Sequence, residues 1–227
     1  MWCVPEIDRE YVERMEDVLD LYEKPLDKKE PVVCLDEKPI QLLGEARPSR
    51  PMKRGQPKRR DSEYVRKGTA NVFCAVEPKT GKHMPRATRR RRGRDFAKML
   101  QTIASRYPRA RKIHLVMDNL STHKQKSLID ALGEKDGARL WSKFEAHYTP
   151  KHASWLNQAE IAISMYSRAC LGKDRIESFA ALGKRTRAWE RIAAREQPKI
   201  DWKFTKRKAR EKFKYTRSGG EIKLSRY

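Results

Sequence analysis

Lys112-Ile113-His114-Leu115-Val116-Met117-Asp118-Asn119-Leu120-Ser121-Thr122-His123 is the stretch from which the rest of the chain can be ordered. A short apolar run ends in an Asp-Asn pair, and polar residues suited to a helix start follow. Such a run reads as a strand buried on both faces, which belongs inside an α/β sheet. The C-terminal ends of strands in these sheets open onto the crevice where ligands bind. Asp118 therefore stands at a sheet mouth, while His114 alternates into the strand and reads as core.

Upstream, Val32-Val33-Cys34-Leu35 is a second apolar run, and it too delivers an acid, Asp36. Glu37 follows and should face the other side of the strand. Thr69 to Val76 and His83 to Ala87 read as two strands joined by the turn signal Pro78-Lys79-Thr80-Gly81, an antiparallel hairpin. Phe96, Met99, Leu100, Ile103 and Tyr107 form a helical stripe ended by Pro108. A helix over about residues 123–133, closed by Gly133, and a short strand from Phe144 to Tyr148 come next.

Thr149-Pro150 breaks the chain, and Ser154 or Asn157 suits the cap of a helix beginning near Leu156. On that helix Leu156, Ile163 and Cys170 lie near one line, with Glu160 among them. A bare carboxylate in an apolar stripe costs several kcal/mol, so Glu160 is expected to have a partner there; a salt bridge or a wet helix end is the plainer account. Phe179, Leu182, Trp189 and Ala193 mark a further helix over residues 178–196, ended by Pro198.

The order is strand, strand, strand, helix, strand, helix, strand, helix. It predicts an α/β chain with a mixed five-stranded sheet and helices on both faces, the layout of the ribonuclease H-like fold. Residues 1–30 are read as a linker helix region, with Ile7, Tyr11, Met15, Val18 and Tyr22 on one side and acids on the other. Residues 31–200 are the catalytic unit. Residues 201–227 are a basic tail, with a helix in Trp202–Lys214 and no structure expected beyond Tyr215.

The chain has 227 residues and a formal charge of +23, although its first thirty hold five Lys/Arg against ten Asp/Glu. An excess that large favours a polyanionic partner, nucleic acid first. Arg86 to Arg94 contains six arginines, and residues 44–67 hold nine Lys/Arg without any period. The first reads as a phosphate contact carrying Arg89, Arg90, Arg91 and Arg92. The second reads as a mobile basic loop carrying Lys53 and Arg54. His123, Lys124 and Asn119 flank Asp118 and suit phosphate contact, ligand support or helix capping. Cys3, Cys34, Cys74 and Cys170 lack CxxC spacing, so no zinc knuckle or disulfide framework is indicated, and a reducing cytoplasm fits. No run reaches the ~18 apolar residues of a membrane span. There is no Gly-rich phosphate loop and no Ser or Cys nucleophile context.

Asp36 and Asp118 end neighbouring runs, and the Glu160 helix would lie across them. Three converging carboxylates repel one another without a cation, and an all-oxygen set selects Mg²⁺ or Mn²⁺. A pair of such ions suits in-line phosphoryl transfer.

At these residues the sequence resembles insertion-sequence transposases of bacteria in the mariner-related DDE superfamily. The resemblance rests on Val33–Pro39, on Val116–Lys124 and on Tyr148–Glu160, and it spans roughly residues 1–215. It implies Asp36, Asp118 and Glu160 as catalytic triad, two divalent metals, strand cleavage at transposon ends and transfer into target DNA. The expected partners are those DNAs and a second copy of the chain, a homodimer in the DNA complex. The implied location is the bacterial cytoplasm, at the nucleoid. Family members usually begin with helix-turn-helix modules; here the sequence opens on the linker helix, so a catalytic domain lacking that reader is expected. A DNA-binding relic without catalysis and a structure-specific nuclease of the same fold remain as alternatives.

Overall fold

The computed structural model describes residues 7–57, 59–218 and 221–224. In chain order its elements are α1 (Arg9–Glu23), β1 (Val32–Glu45), β2 (Tyr64–Glu77), β3 (Lys82–Thr88), α2 (Gly93–Arg106), β4 (Ile113–Met117), α3 (Gln125–Leu132), α4 (Glu134–Trp141) and β5 (Phe144–Tyr148). They are followed by α5 (Ala159–Tyr166), α6 (Phe179–Glu196), α7 (Lys206–Phe213), β6 (Tyr215–Ser218) and β7 (Glu221–Leu224). The main sheet has the order β3-β2-β1-β4-β5. β1 pairs antiparallel with β2 and parallel with β4, and β4 pairs parallel with β5. This is the mixed five-stranded sheet that the two apolar runs and the hairpin predict.

Alternation along the strands sends side chains to two cores. Val33 and Leu35 of β1, Phe73 and Ala75 of β2 and Leu115 of β4 pack with Phe96, Met99, Leu100 and Ile103 of α2 and with Leu128 of α3. On the other face Cys34 and Val116 meet Val12, Met15, Val18 and Leu19 of α1. Farther along that face Val72 and Cys74 meet Ile163 and Tyr166 of α5 with Leu182 and Trp189 of α6. Cys34, Cys74 and Cys170 are buried free thiols; Cys3 lies outside the described residues. Helix α1 is thus no solvated accessory, because eight of its fifteen residues are buried.

The tail closes over α1. Phe204, Phe213, Tyr215 and Ile222 join its core. Glu16, 2% exposed, receives Arg210 Nε at 2.9 Å, Arg217 Nη1 at 2.8 Å and Tyr215 Oη at 3.1 Å. Structure beyond Tyr215 departs from expectation: β6 and β7 form an antiparallel hairpin, secured by Arg217 on the buried acid. Gly219 and Gly220 lie outside the described residues.

The basic stretch 44–67 is also more ordered than its composition suggests. β1 and β2 run past the sheet, with Glu45 opposite Tyr64, and a further bridge joins Arg50 to Arg59. Arg175 pins this arm by donating to the carbonyls of Asp61, Ser62 and Glu63 and to the Glu45 carboxylate. No period shows because both faces are wet, as the first six residues of β2 are all exposed. Pro39 is tolerated inside β1 because the paired register with β4 stops at Cys34, leaving that edge free of a ladder.

Candidate active site

The same register explains where Asp36 lies. Cys34 stands opposite Val116 on parallel strands, and two residues farther along each strand come Asp36 and Asp118. Asp36 points to the α1–α5 face, and Asp118 lies just past the end of β4, on a strand about 4.8 Å away. Beyond Val116 the strands part, and the two acids occupy the resulting mouth. Asp118, Asn119 and Leu120 line an open groove there with Thr149, Pro150, His152 and Ser154.

Asn157 fixes the third acid. Its Nδ2 donates to the Leu35 carbonyl at 2.9 Å and lies 3.5 Å from Asp36 Oδ2. Its Oδ1 accepts the Ala159 N–H at 3.1 Å, and its carbonyl accepts the Glu160 N–H at 3.0 Å. One side chain therefore ties the end of β1 to the first turn of α5, where Glu160 sits. Tyr22 of α1 braces the approach by donating to the Leu156 carbonyl at 2.8 Å.

Glu160 is exposed, a correction to its expected place within a buried stripe. A continuous helix from Leu156 to Cys170 underlies that expectation. The chain instead has a 3-10 turn at Ser154–Leu156, a break at Asn157, the short α5, and a π turn at Ser167–Leu171. Leu156, Ile163 and Cys170 are still buried, but by three different local geometries. Glu160 is a wet acid at a helix start, where the helix dipole favours it.

Burial pushes the Asp36 carboxyl up to about 7, with the charges of Glu160, Glu37 and Asp118 adding to the rise and the Glu37 backbone N–H opposing it. Asp36 thus feels the charges of both Glu160 and Asp118. It also carries a testable linkage. With no cation bound, ionising Asp36 costs stability: its contribution is full below the ordinary carboxylate range and is lost as the pH rises through about 7. A cation reverses that cost and must compete with the proton. Calorimetric titration with MgCl₂ or MnCl₂ should show affinity rising from about pH 6 to about pH 8 and then levelling. An affinity flat over that interval would remove Asp36 from the ligand set.

His123 is placed otherwise than as a phosphate contact. It has no exposed side chain and stacks on Phe96 with ring centroids 4.7 Å apart. Its Nε2 meets Glu37 Oε1 at 2.8 Å, and its Nδ1 lies 2.7 Å from Asp118 Oδ1. Burial alone would push the imidazole down, but the hydrogen bonds and charges of Asp118 and Glu37 outweigh it and raise it to about 10. The imidazolium is therefore a fixed positive clasp behind Asp118. Glu37 faces away from Asp36 as alternation requires, and its role as the clasp's far end is invisible in sequence because 86 positions separate it from His123.

The expected basic residues lie on the surface. Arg89, Arg90, Arg91 and Arg92 are exposed in the β3–α2 loop, Arg89 over the Phe179 ring. Lys124 is exposed at the start of α3, and Asn119 is exposed in the groove without capping α3. A Cβ on Gly93 would meet Ser127 Cβ at 3.0 Å, so the α2 and α3 starts touch and set Arg92 near Lys124. Lys53 and Arg54 are exposed at the tip of the β1–β2 arm. Trp155 is packed by Phe204 and Phe213, and His152 lies in the groove with a left-handed φ of 62°.

A ribonuclease H-like sheet with acids within β1, just past β4 and on a crossing helix defines a class of nucleic-acid phosphoryl-transfer enzymes. Within that class, the profile of the DDE superfamily endonucleases matches residues 31–183, and the chain belongs to that family. Its fold is similar to that in the Mos1 mariner paired end complex with Mn, at a TM-score of 0.54 and 15% identity. The Mos1 Strand Transfer Complex and the paired end complex with Mg give 0.53 at 15% identity. The chain is covered over 87% in these comparisons and spans 61%, 61% and 59% of the solved chains. No curated protein matches it by sequence. Among the described residues no helix is long and apolar enough to cross a membrane.

Proposed function

We propose that this chain is the catalytic domain of a transposase that cuts DNA strands at transposon ends and joins them to target DNA. Asp36, Asp118 and Glu160 hold two Mg²⁺ or Mn²⁺ ions in this reading. The observation that carries it is the register that sets Asp36 beside Asp118, with Asn157 drawing Glu160 across them. Three crowded carboxylates, one of them with a strongly raised pKa, make a donor set that suits hard divalent cations. When bound, such ions activate a water or 3′-hydroxyl and stabilise the leaving oxygen.

The chain's own groups do the rest. The His123 clasp fixes the Asp118 carboxylate in one orientation, as carboxylate partners do for metal ligands generally. Exposed Arg90–Arg92 and Lys124, with Lys53 and Arg54 on the arm, supply cations for the phosphate backbone. By likeness to the paired end complexes, two copies of the chain act together on DNA.

Incubation with supercoiled plasmid carrying terminal inverted repeats should give nicked circles with Mg²⁺ or Mn²⁺ and none with EDTA. A strong preference for branched DNA over such ends would replace this reading with a structure-specific nuclease. DNA binding that weakens steeply with salt, without cleavage under any metal, would leave only a binding relic.

A further inference from the structure

At the opposite end of β4 and β5 from Asp118, a second group of metal-ligating side chains faces α1. His114 on β4 stands opposite Glu145 on β5, with His147 two residues on. One ligand atom from each of His114, Glu145 and His147 falls within 4.8 Å of the others. His114 Nδ1 and His147 Nε2 face each other at 3.0 Å, and the Glu145 carboxylate oxygens lie 3.8 Å from each. From these positions we infer that His114, Glu145 and His147 form a second site that takes a borderline transition-metal ion, Zn²⁺ above all, separate from the carboxylate triad.

Distances and donor chemistry agree with this. Zn²⁺ binds nitrogen at about 2.0–2.1 Å, so two tetrahedral ligand nitrogens stand about 3.3 Å apart. The facing nitrogens need to open only slightly, and Glu145 to close by about half an ångström. Two imidazoles and one carboxylate are a known zinc set, with the fourth position left to water. The two rings are nearly buried while Glu145 is half-exposed, which leaves the open position toward solvent. Hard Mg²⁺ disfavours such a nitrogen pair.

The surroundings are those of ligating histidines. Such a histidine usually gives its other N–H to a carboxylate, which fixes the tautomer. His147 Nδ1 lies 2.7 Å from Asp17 Oδ2 on α1, so its proton goes there and Nε2 presents a lone pair. His114 Nε2 faces Glu30 Oε2 at 4.0 Å. Without metal, one proton is shared between the facing nitrogens; on binding, the His114 proton moves from Nδ1 to Nε2 toward Glu30, and none is released. The ion would join β4 to β5 and, through Asp17, hold α1 on the sheet edge.

The test uses the full chain without a histidine tag, stripped of metal and titrated with ZnCl₂ against a chromophoric chelator. Wild type and the triple variant D36N/D118N/E160Q should each bind one equivalent at this site, and CoCl₂ should give the visible absorption of tetrahedral Co²⁺ in both. E145Q should weaken Zn²⁺ at least tenfold, and H114Q/H147Q should abolish binding. Asp17→Asn should weaken it about 10–100-fold, and ZnCl₂ should raise the melting temperature of wild type but not of E145Q. If H114Q/H147Q does not fold, E145Q and Asp17→Asn carry the test. Zn²⁺ binding that is absent from the triple variant, or unchanged in E145Q and Asp17→Asn, overturns the site.

Discussion

Asp118→Asn is expected to abolish metal-dependent nicking, by about 10³-fold or more, while leaving the fold intact. The replacement has the same shape and keeps an oxygen for His123. What it removes is a negative charge at the position where β4 delivers it beside Asp36. A hard cation is held mainly by such charge, and the backbones that carry the remaining acids are fixed, Asp36 within the paired strand β1 and Glu160 by its N–H on the Asn157 carbonyl. His123 keeps Glu37 as a charged partner at 2.8 Å, so the buried imidazolium is not stranded. Asp118 also raises the Asp36 pKa by its charge, so relief of that repulsion should leave the metal-free melting temperature unchanged or slightly higher. Plasmid nicking and thermal melting on the same preparations check both halves. Equal nicking by variant and wild type would sink the assignment of the triad.

The largest effect on stability should come from the other end of the molecule. The double variant Arg210→Met/Arg217→Met leaves Glu16 with only Tyr215 as partner in the core beneath the tail. Breaking a buried pair by removing one side typically costs about 3–5 kcal/mol; because the two arginines are 40% and 35% exposed, solvent screening lowers the expected loss to about 2 kcal/mol. Glu16→Gln in that background should recover most of it, because the stranded charge is the cause. Urea unfolding curves of the three proteins decide this, and a double variant as stable as wild type would show the network to be idle. Burial opposes the Glu16 charge, but the hydrogen bonds from Arg210, Arg217 and Tyr215 win and hold its pKa below the ordinary value. Its contribution is therefore present above the carboxylate range and lost as the pH falls below it.

Strands buried on both faces were the most legible part of the chain. Ile113–Met117 matches the observed β4 and Val32–Leu35 forms the start of β1, while Phe144–Tyr148, legible too, has one wet position at Glu145. Burial requires apolar runs, and such runs show without a partner in view. The arm beyond Gly44 had no such signature, because its ladder is stabilised by backbone pairing and by Arg175 from another element. The stripe around Glu160 misled because a helical wheel assumes one uninterrupted helix, whereas Asn157 breaks the chain to bond β1. His123 looked like a surface residue because its neighbours in sequence are polar; its burial is decided by Glu37 and Phe96. Asp36 and Asp118 stand out by position after apolar runs, and His123 by its place beside Asp118, whereas the pairing of His123 with Glu37 leaves no trace in sequence.

The shared core of α1 and the tail bears on how the chain is made. Synthesis releases α1 long before the tail, yet the cluster that holds Tyr11 and Met15 includes Ala209, Phe213, Tyr215 and Ile222. Until those residues leave the ribosome, the flank of α1 turned away from Cys34 and Val116 has no permanent cover, and Glu16 has none of the Arg210, Tyr215 or Arg217 contacts that hold it. Final docking of this face therefore waits for the tail and has a very long loop to close. A nascent chain stalled before residue 209 presents an acidic helix with a sticky flank, the kind of surface that chaperones hold and aggregates grow from.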